Sequence, residues 1–373
     1  MAGGNRHRLL IIGGGIMGLG IGWRLAQAGW QVELFERDNV GKGASWAAAG
    51  MLAARIQGGS QPRDPYSRFL RRSQDLWPSF KDELEVFTGR QIGYRDEGTL
   101  IAAFSSEEVT QFKQMASWQP DDFFYLSSVD ALAREPAFSP EIDGALLSVH
   151  DHHVDNRAYA QALASAFTKA GGTLHEQVEV TDFIRDKETI VGVRTRNSEY
   201  TADRMLLAAG AWSAEIPGAG TDAPIHPTKG QMVALKMDPD RPLIQHAVWG
   251  PGIYLVPRQS GRLVLGATTE EVGFDRRVTA SGVLQLLAAA RHTVPDIEDL
   301  EIEETWAGFR PTSADHMPVM GPGHHEGLIL ATGHGHNGIL MSAGTIELMA
   351  NWLKGGQMDP VLHPFLPNRF QRR

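Results

Sequence analysis

Residues 9–18 read Leu9-Leu10-Ile11-Ile12-Gly13-Gly14-Gly15-Ile16-Met17-Gly18, an apolar run that halts at three glycines and resumes at helical spacing. The run over 8–12 predicts a buried strand, the glycines a tight turn, and Ile16 to Ala28 a helix closed by Gly29. Working outward, Gln31-Val32-Glu33-Leu34-Phe35-Glu36 alternates polar and apolar residues as a second strand, and ends on an acid 18 residues after Gly18. This is Gly-x-Gly-x-x-Gly in the strand–turn–helix setting that seats a dinucleotide pyrophosphate on a helix N-terminus. Gly13 permits the turn, Gly15 lets backbone approach the phosphates, Gly18 lets helix and sheet pack, and Glu36 is placed to accept from ribose hydroxyls. Arg37 reads as a neighbour of the adenosine, because Glu36 would repel a 2′-phosphate.

The rest of the composition narrows the classes. At ~150 residues per domain, 373 residues imply roughly two domains. With 35 basic and 44 acidic side chains the net charge is −9, which argues against nucleic acid or an anionic membrane as partner. There is no cysteine, so disulfides, Cys-ligated zinc, iron–sulfur clusters and thiol nucleophiles are excluded, and a reducing cytoplasm suits the chain. Arg6, His7 and Arg8 before an apolar run resemble a signal peptide, but the run is cut at Gly13 after four residues. No stretch reaches the ~18 apolar residues of a membrane helix.

Further along, 64–88 is helical and charged, and 90–145 mixes short strands and helices with turns such as Asp96-Glu97-Gly98. Asp155-Asn156 caps an amphipathic helix whose apolar face is Tyr159, Ala162, Leu163, Ala166 and Phe167. Val178 to Val193 reads as a hairpin, and Met205 to Ala209 as a buried strand closed by Gly210. Gln231–Leu235, Ile253–Pro257 and Leu263–Gly266 predict an antiparallel sheet, followed by a helix from Ser281 to His292. Leu328 to Thr332 is a strand, Gly333 to Gly338 a loop and Ile339 to Leu353 an apolar helix.

Two further stretches bear on chemistry. Residues 41–51 are nearly free of bulky side chains apart from Trp46, so backbone can lie against a large planar ligand; a small-residue helix start packed on the sheet fits the same composition. His150, Asp151, His152, His153 and Asp155 form a dense ligand-like group, with His150 and His152 on one face of a strand. His324-His325 sits in a Pro/Gly turn and reads as exposed loop.

Taken in order, Ile11 to Gly18, Ala44 to Met51, Asp151 to Asp155, Tyr254 to Arg258, Gly261 to Thr268, Trp306 to Pro311 and Gly333 to Ile339 resemble the FAD-dependent D-amino acid oxidase family. Within it they resemble the glycine oxidase group of thiamine biosynthesis. The resemblance spans nearly the whole chain. It implies an α/β fold, with a Rossmann-like FAD-binding domain and an inserted antiparallel-sheet (α+β) substrate domain. Residues 1–89, 146–214 and 306–373 would form the former, and 90–145 with 215–305 the latter.

By the same resemblance Ile16 and Met17 follow the pyrophosphate turn, Glu36 and Arg37 hold the adenosine, and Ala44, Ser45, Ala49, Gly50 and Met51 line the flavin or its pyrophosphate. Val178 would meet the adenine through its backbone. His334, Gly335, His336, Asn337, Gly338, Ile339 and Leu340 would wrap the isoalloxazine, with the following helix aiming its N-terminus at the ring edge that gains charge on reduction. Arg310 would grip the substrate carboxylate with its planar fork and Tyr254 orient the substrate. His336 stands where the group's pattern carries arginine, and Thr269 where it carries methionine, which bears on substrate identity. Ala47 replaces the histidine to which some relatives attach flavin, so the FAD is expected to be non-covalent. Asp151 to Asp155 become the approach to a helix cap, and no metal is expected.

The expected activity is oxidative deamination of glycine or another small amino acid, giving imine, then keto acid and ammonia, with oxygen reduced to hydrogen peroxide. The alternatives are a sarcosine, proline or D-amino acid dehydrogenase that passes electrons to a quinone or partner, and a non-catalytic flavin-binding module. The protein is expected in the cytoplasm as a homo-oligomer.

Overall fold

The computed structural model describes residues 7–57, 64–219 and 224–370. Arg6 of the signal-like run lies outside them. Its first sheet has six strands in the order Val319–Pro322, Leu328–Thr332, Arg204–Leu207, Arg8–Ile12, Gln31–Glu36, Thr173–Glu176. All neighbours are parallel except the Val319–Pro322 edge. Alternation along Arg8–Ile12 explains why the sheet is covered on both sides. Leu9 and Ile11 enter a core with helices Ile16–Gln27, Pro65–Thr88, Asn156–Lys169 and Gly338–Leu353, whereas Leu10 and Ile12 pack with Phe183, Val193 and Leu207 on the other face. Asp155 caps its helix as expected, accepting from Arg157 N at 2.9 Å and Ala158 N at 3.1 Å.

A second sheet of eight strands runs Glu301–Ser313, Ile225–Lys236, Arg262–Gly266, Ile253–Pro257, Ala247–Gly250, Thr99–Ala103, Gly144–Ser148, Phe123–Ser127. The sequence predicts an antiparallel sheet here; the sheet is antiparallel except at one junction, where Ala247–Gly250 runs parallel to Thr99–Ala103. Those strands are distant in the chain, so no hairpin dictates their direction. The longest pairing joins Ile225–Lys236 to Glu301–Ser313, with Thr228 opposite Arg310 and Gly230 opposite Gly308. Among the described residues no helix is long and apolar enough to cross a membrane.

Candidate active site

The carboxyl ends of Arg8–Ile12, Gln31–Glu36, Arg204–Leu207 and Leu328–Thr332 open onto one cavity of about 1430 Å³, closed from the far side by the eight-stranded sheet. That exceeds the ~300–1,000 Å³ of ordinary small-molecule pockets and lies where open parallel sheets bind dinucleotides. Its nucleotide end is built by backbone. Gly13 has φ +110°, and a Cβ there would fall 2.4 Å from Ala208 O, so only glycine fits. Over Gly15 the nearest atom to an added Cβ is Ser45 Oγ at 3.5 Å, which leaves that surface open. Glu36 Oε2 accepts from Gly14 N at 2.8 Å and ties the turn to the second strand. Arg37 lies 4.0 Å over the Trp212 ring.

The run 44–51 forms a short helix, Ala44–Ala47, and then extends along the cavity. Its carbonyls are held from behind. Asn156 Nδ2 donates to Ser45 O (2.8 Å) and Trp46 O (3.0 Å), Trp306 Nε1 to Ala47 O (3.0 Å), Arg258 Nη2 to Ala49 O (2.7 Å) and Val154 N to Gly50 O (2.9 Å). In a planar trans peptide the next N–H points the opposite way, so the N–H groups of Gly50 and Met51 face the cavity. A wall of small residues with outward donors fits a flat ring bearing acceptor atoms, and the glycine turn fits its pyrophosphate. Burial pulls Arg258 down to about 10, Asp155 opposing and Arg262 and Arg157 adding, so it is a cation at neutral pH. Its Nη1 has no hydrogen-bond partner among the described residues.

The opposite wall is made of side chains. Arg310 lies across its partner strand because Gly230 lacks a side chain; a Cβ there would meet Arg310 Nη2 at 2.7 Å. Arg310 Nη1 donates to Thr268 O at 3.1 Å and Lys229 O at 3.3 Å. Tyr254 faces Gly266 in the neighbouring strand, whose missing Cβ leaves room for the phenol. Burial raises the phenol above its ordinary range, and the adjacent Arg310 opposes that shift. His336 is held below the usual imidazole range by burial, Arg310 and His316. Thr269 lines the same end.

Of the sequence-predicted residues, Gly13, Gly15, Ile16, Met17, Glu36 and Arg37 line the cavity, as do Ala44, Ser45, Ala49, Gly50, Met51 and Val178. His334, Gly335, His336, Asn337, Gly338 and Ile339 join them, with Tyr254 and Arg310. Gly18 lies beneath, where a Cβ would strike Gly13 O at 2.2 Å, in keeping with its packing role. Leu340 departs from its expected place. It is fully buried in the helical core, and its carbonyl accepts from Ser73 Oγ and Trp77 Nε1, because the helix has already turned it away. His334 is nearly buried too; its Nε2 meets Thr345 Oγ1 at 3.1 Å and burial lowers it to about 3. Val178 spends its N–H on Glu36 O at 2.9 Å, leaving its carbonyl and side chain.

The His/Asp group is a set of structural anchors. His152 Nδ1 meets Tyr94 Oη at 2.6 Å and His153 Nε2 meets Pro257 O at 3.2 Å. Asp151 is fully buried and accepts from Arg55 N, Ile56 N, Gln74 Nε2 and Ser148 Oγ. Sequence reasoning misses Trp212, Tyr66, Asn156 and Gly230. For Trp212 a signal existed, since it follows a strand parallel to Arg8–Ile12 and so emerges at the same sheet edge. Tyr66, whose hydroxyl accepts from Asn337 Nδ2 at 2.9 Å, reads in sequence only as one residue of a charged helix.

The family model for DAO, the FAD dependent oxidoreductases, matches residues 8–352. The chain belongs to this family. Glycine oxidase of Geobacillus kaustophilus is 36% identical over 369 residues, covering 97% of this chain and 96% of the relative. The crystal structure of glycine oxidase from Geobacillus kaustophilus superposes with a TM-score of 0.89 at 34% identity, covering 98% of this chain and 99% of that one. The bifunctional protein ThiO/ThiG of Trichormus variabilis is 32% identical over 368 residues, which are 98% of this chain and 55% of that longer protein. FAD is the family's cofactor, and the backbone-lined end of the cavity is shaped to take it.

Proposed function

We propose that this protein is an amino acid oxidase of the glycine oxidase type. It converts glycine, or a similarly small amino acid, to the imine, which hydrolyses to keto acid and ammonia, while oxygen becomes hydrogen peroxide; its product supplies thiamine biosynthesis. The near full-length likeness to glycine oxidases supports this, as does the likeness to the ThiO/ThiG protein. The observation that carries it is Arg310, a planar cation set in the cavity wall opposite the Gly50–Met51 donors. When bound, non-covalent FAD supplies the hydride acceptor and its reoxidation by oxygen.

The chain's own residues bind and orient. Arg310 takes the carboxylate in a fork of parallel hydrogen bonds, and Tyr254 beside it limits how the substrate turns. With His336 held below the usual imidazole range, Arg310 is the cation beside Tyr254, which suits an amino acid with one carboxylate. Glu36, Arg37 and Trp212 hold the adenosine end, and Ser45, Ala49, Gly50 and Met51 the flavin end. The five-segment division into FAD-binding and substrate domains belongs to the same reading, although the eight-stranded sheet draws its strands from 99–148 and 225–313 and so runs past the boundaries set at 145 and 305. So do a cytoplasmic site, which a cysteine-free chain suits, and a homo-oligomer, which exposed Phe124 on an edge strand and Trp118 and Val129 on flanking helices support.

The test is oxygen uptake by the purified holoenzyme with glycine. Equal yields of hydrogen peroxide, ammonia and glyoxylate are expected. Turnover with a quinone analogue and no peroxide would contradict the oxidase assignment.

A further inference from the structure

Behind Arg310, on the face of the sheet away from the cavity, lies a polar network for which the carboxylate-binding reading has no use; it is buried at Lys229, Gln231 and Thr268 and partly exposed at Glu270. Lys229 and Gln231 are each 1% exposed, and neither lines the cavity. Glu270 is the node of this network. One oxygen of its carboxylate accepts from Thr268 Oγ1 at 2.5 Å and Gln231 Nε2 at 2.7 Å, and the other lies 3.3 Å from Lys229 Nζ. Its main chain pairs with Lys229 in both directions, N–H to carbonyl at 3.0 Å and 2.9 Å. Gln231 continues the network, donating N–H to Thr268 Oγ1 at 2.9 Å and holding Thr279, the cap of helix Ala280–Thr293, through Nε2 and Oε1.

Two of the three residues Glu270 grips by side chain, Thr268 and Lys229, are the two whose carbonyls receive Arg310 Nη1, and the third is Gln231. An Arg fork recognises a carboxylate only when its plane is fixed, and in this wall the plane is set by those two acceptors. Partial burial works to raise Glu270, but hydrogen bonds from Thr268, Gln231 and Lys229 hold it below the usual carboxylate range, so it is an anion at neutral pH. The buried ammonium of Lys229 in turn needs that anion. A packing role alone would be met by apolar side chains; a charged node on both carbonyl-bearing residues has a directional purpose.

We propose that Glu270, acting through Thr268 and Lys229, is the positioning residue that fixes the Arg310 fork for a carboxylate ligand. The inference rests on the reading of Arg310 as the carboxylate anchor. Replacing Glu270 by Gln puts an amide donor against the donors of Gln231 or Lys229, frees the Thr268 and Lys229 peptides to shift, and leaves the flavin wall untouched.

The experiment titrates acetate into purified holoenzyme and follows the visible flavin band, alongside glycine kinetics and thermal midpoints. Glu270→Gln is expected to raise the acetate Kd and the glycine KM about tenfold, with kcat within threefold and FAD content unchanged. Lys229→Met/Glu270→Gln, which removes the stranded buried cation, should show the same weakened acetate binding. Should either fail to fold, Thr268→Val against Thr268→Ser decides: Val loses the hydroxyl and should weaken acetate binding, while Ser keeps it and should restore parental affinity. Acetate Kd values within twofold of the parent in Glu270→Gln and Thr268→Val, with only the thermal midpoint lowered, would overturn the inference alone. An unchanged acetate Kd in Arg310→Met would overturn the carboxylate reading and the inference with it.

Discussion

The two walls of the cavity are built on different principles. The nucleotide wall is backbone: a left-handed glycine turn, a run of small residues pinned by its carbonyls, and N–H groups left facing inward. The wall proposed for the substrate is side chain: Arg310, Tyr254, His336 and Thr269, brought from four separate stretches, with strand register and glycines making room for Arg310 and Tyr254. Backbone recognition is written locally in sequence, because glycine and small residues must sit at fixed spacings. Side-chain recognition depends on pairing across the sheet, which the sequence does not display.

The comparison predicts opposite losses from the two walls. Gly13→Ala forces a Cβ to within 2.4 Å of Ala208 O at a φ of +110°, and the protein is expected to purify without its yellow colour, read as the FAD-to-protein ratio. Arg310→Met should keep full FAD content and lose roughly 10²–10³-fold in kcat/KM for glycine, the ~2–5 kcal/mol of a truncated charged hydrogen bond. If Gly13→Ala retained FAD, or Arg310→Met lost it, the division between the walls would break.

That division also explains what could be read in advance. The first strand, turn and helix, the Asp155 cap and the strand Leu328–Thr332 were legible because period and caps are local signals. Gly230 was not, since Arg310, whose side chain lies over it, is 80 residues on and is paired with Thr228 two positions away. Leu340 lies in the helix, as the sequence predicts, but faces the helical core and not the cavity, because which side of an apolar helix meets a ligand is not a local signal. The His150–Asp155 cluster offered ligand-like side chains, yet Asp151, His152 and His153 spend themselves on Arg55, Tyr94 and Pro257.

Smaller effects sharpen the contrast. Burial holds His153, His334 and His336 below the ordinary imidazole value, His334 at about 3. The unfolded chain takes up these protons first, so their contribution is intact above pH ~6.5 and is lost as pH falls below it, for His334 down to about 3, by up to about 1.4 kcal/mol per pH unit for each group. Thermal midpoints measured from pH 7.5 to 5 should therefore fall steadily on the acid side. Smallest is Ser45→Ala, which strips Ile16 N of its 3.2 Å acceptor. A loss of about 1 kcal/mol, roughly fivefold in FAD affinity, is expected when apoprotein is titrated with FAD, with the glycine KM unmoved. A change in KM there would show the walls to be coupled.

The two walls serve one reaction. Anaerobic titration of the purified holoenzyme with glycine, followed at the visible flavin band, tests this most directly. The band is expected to bleach with glycine and to return when air is admitted. A band that stays unchanged at saturating glycine, and with other small amino acids, would contradict it.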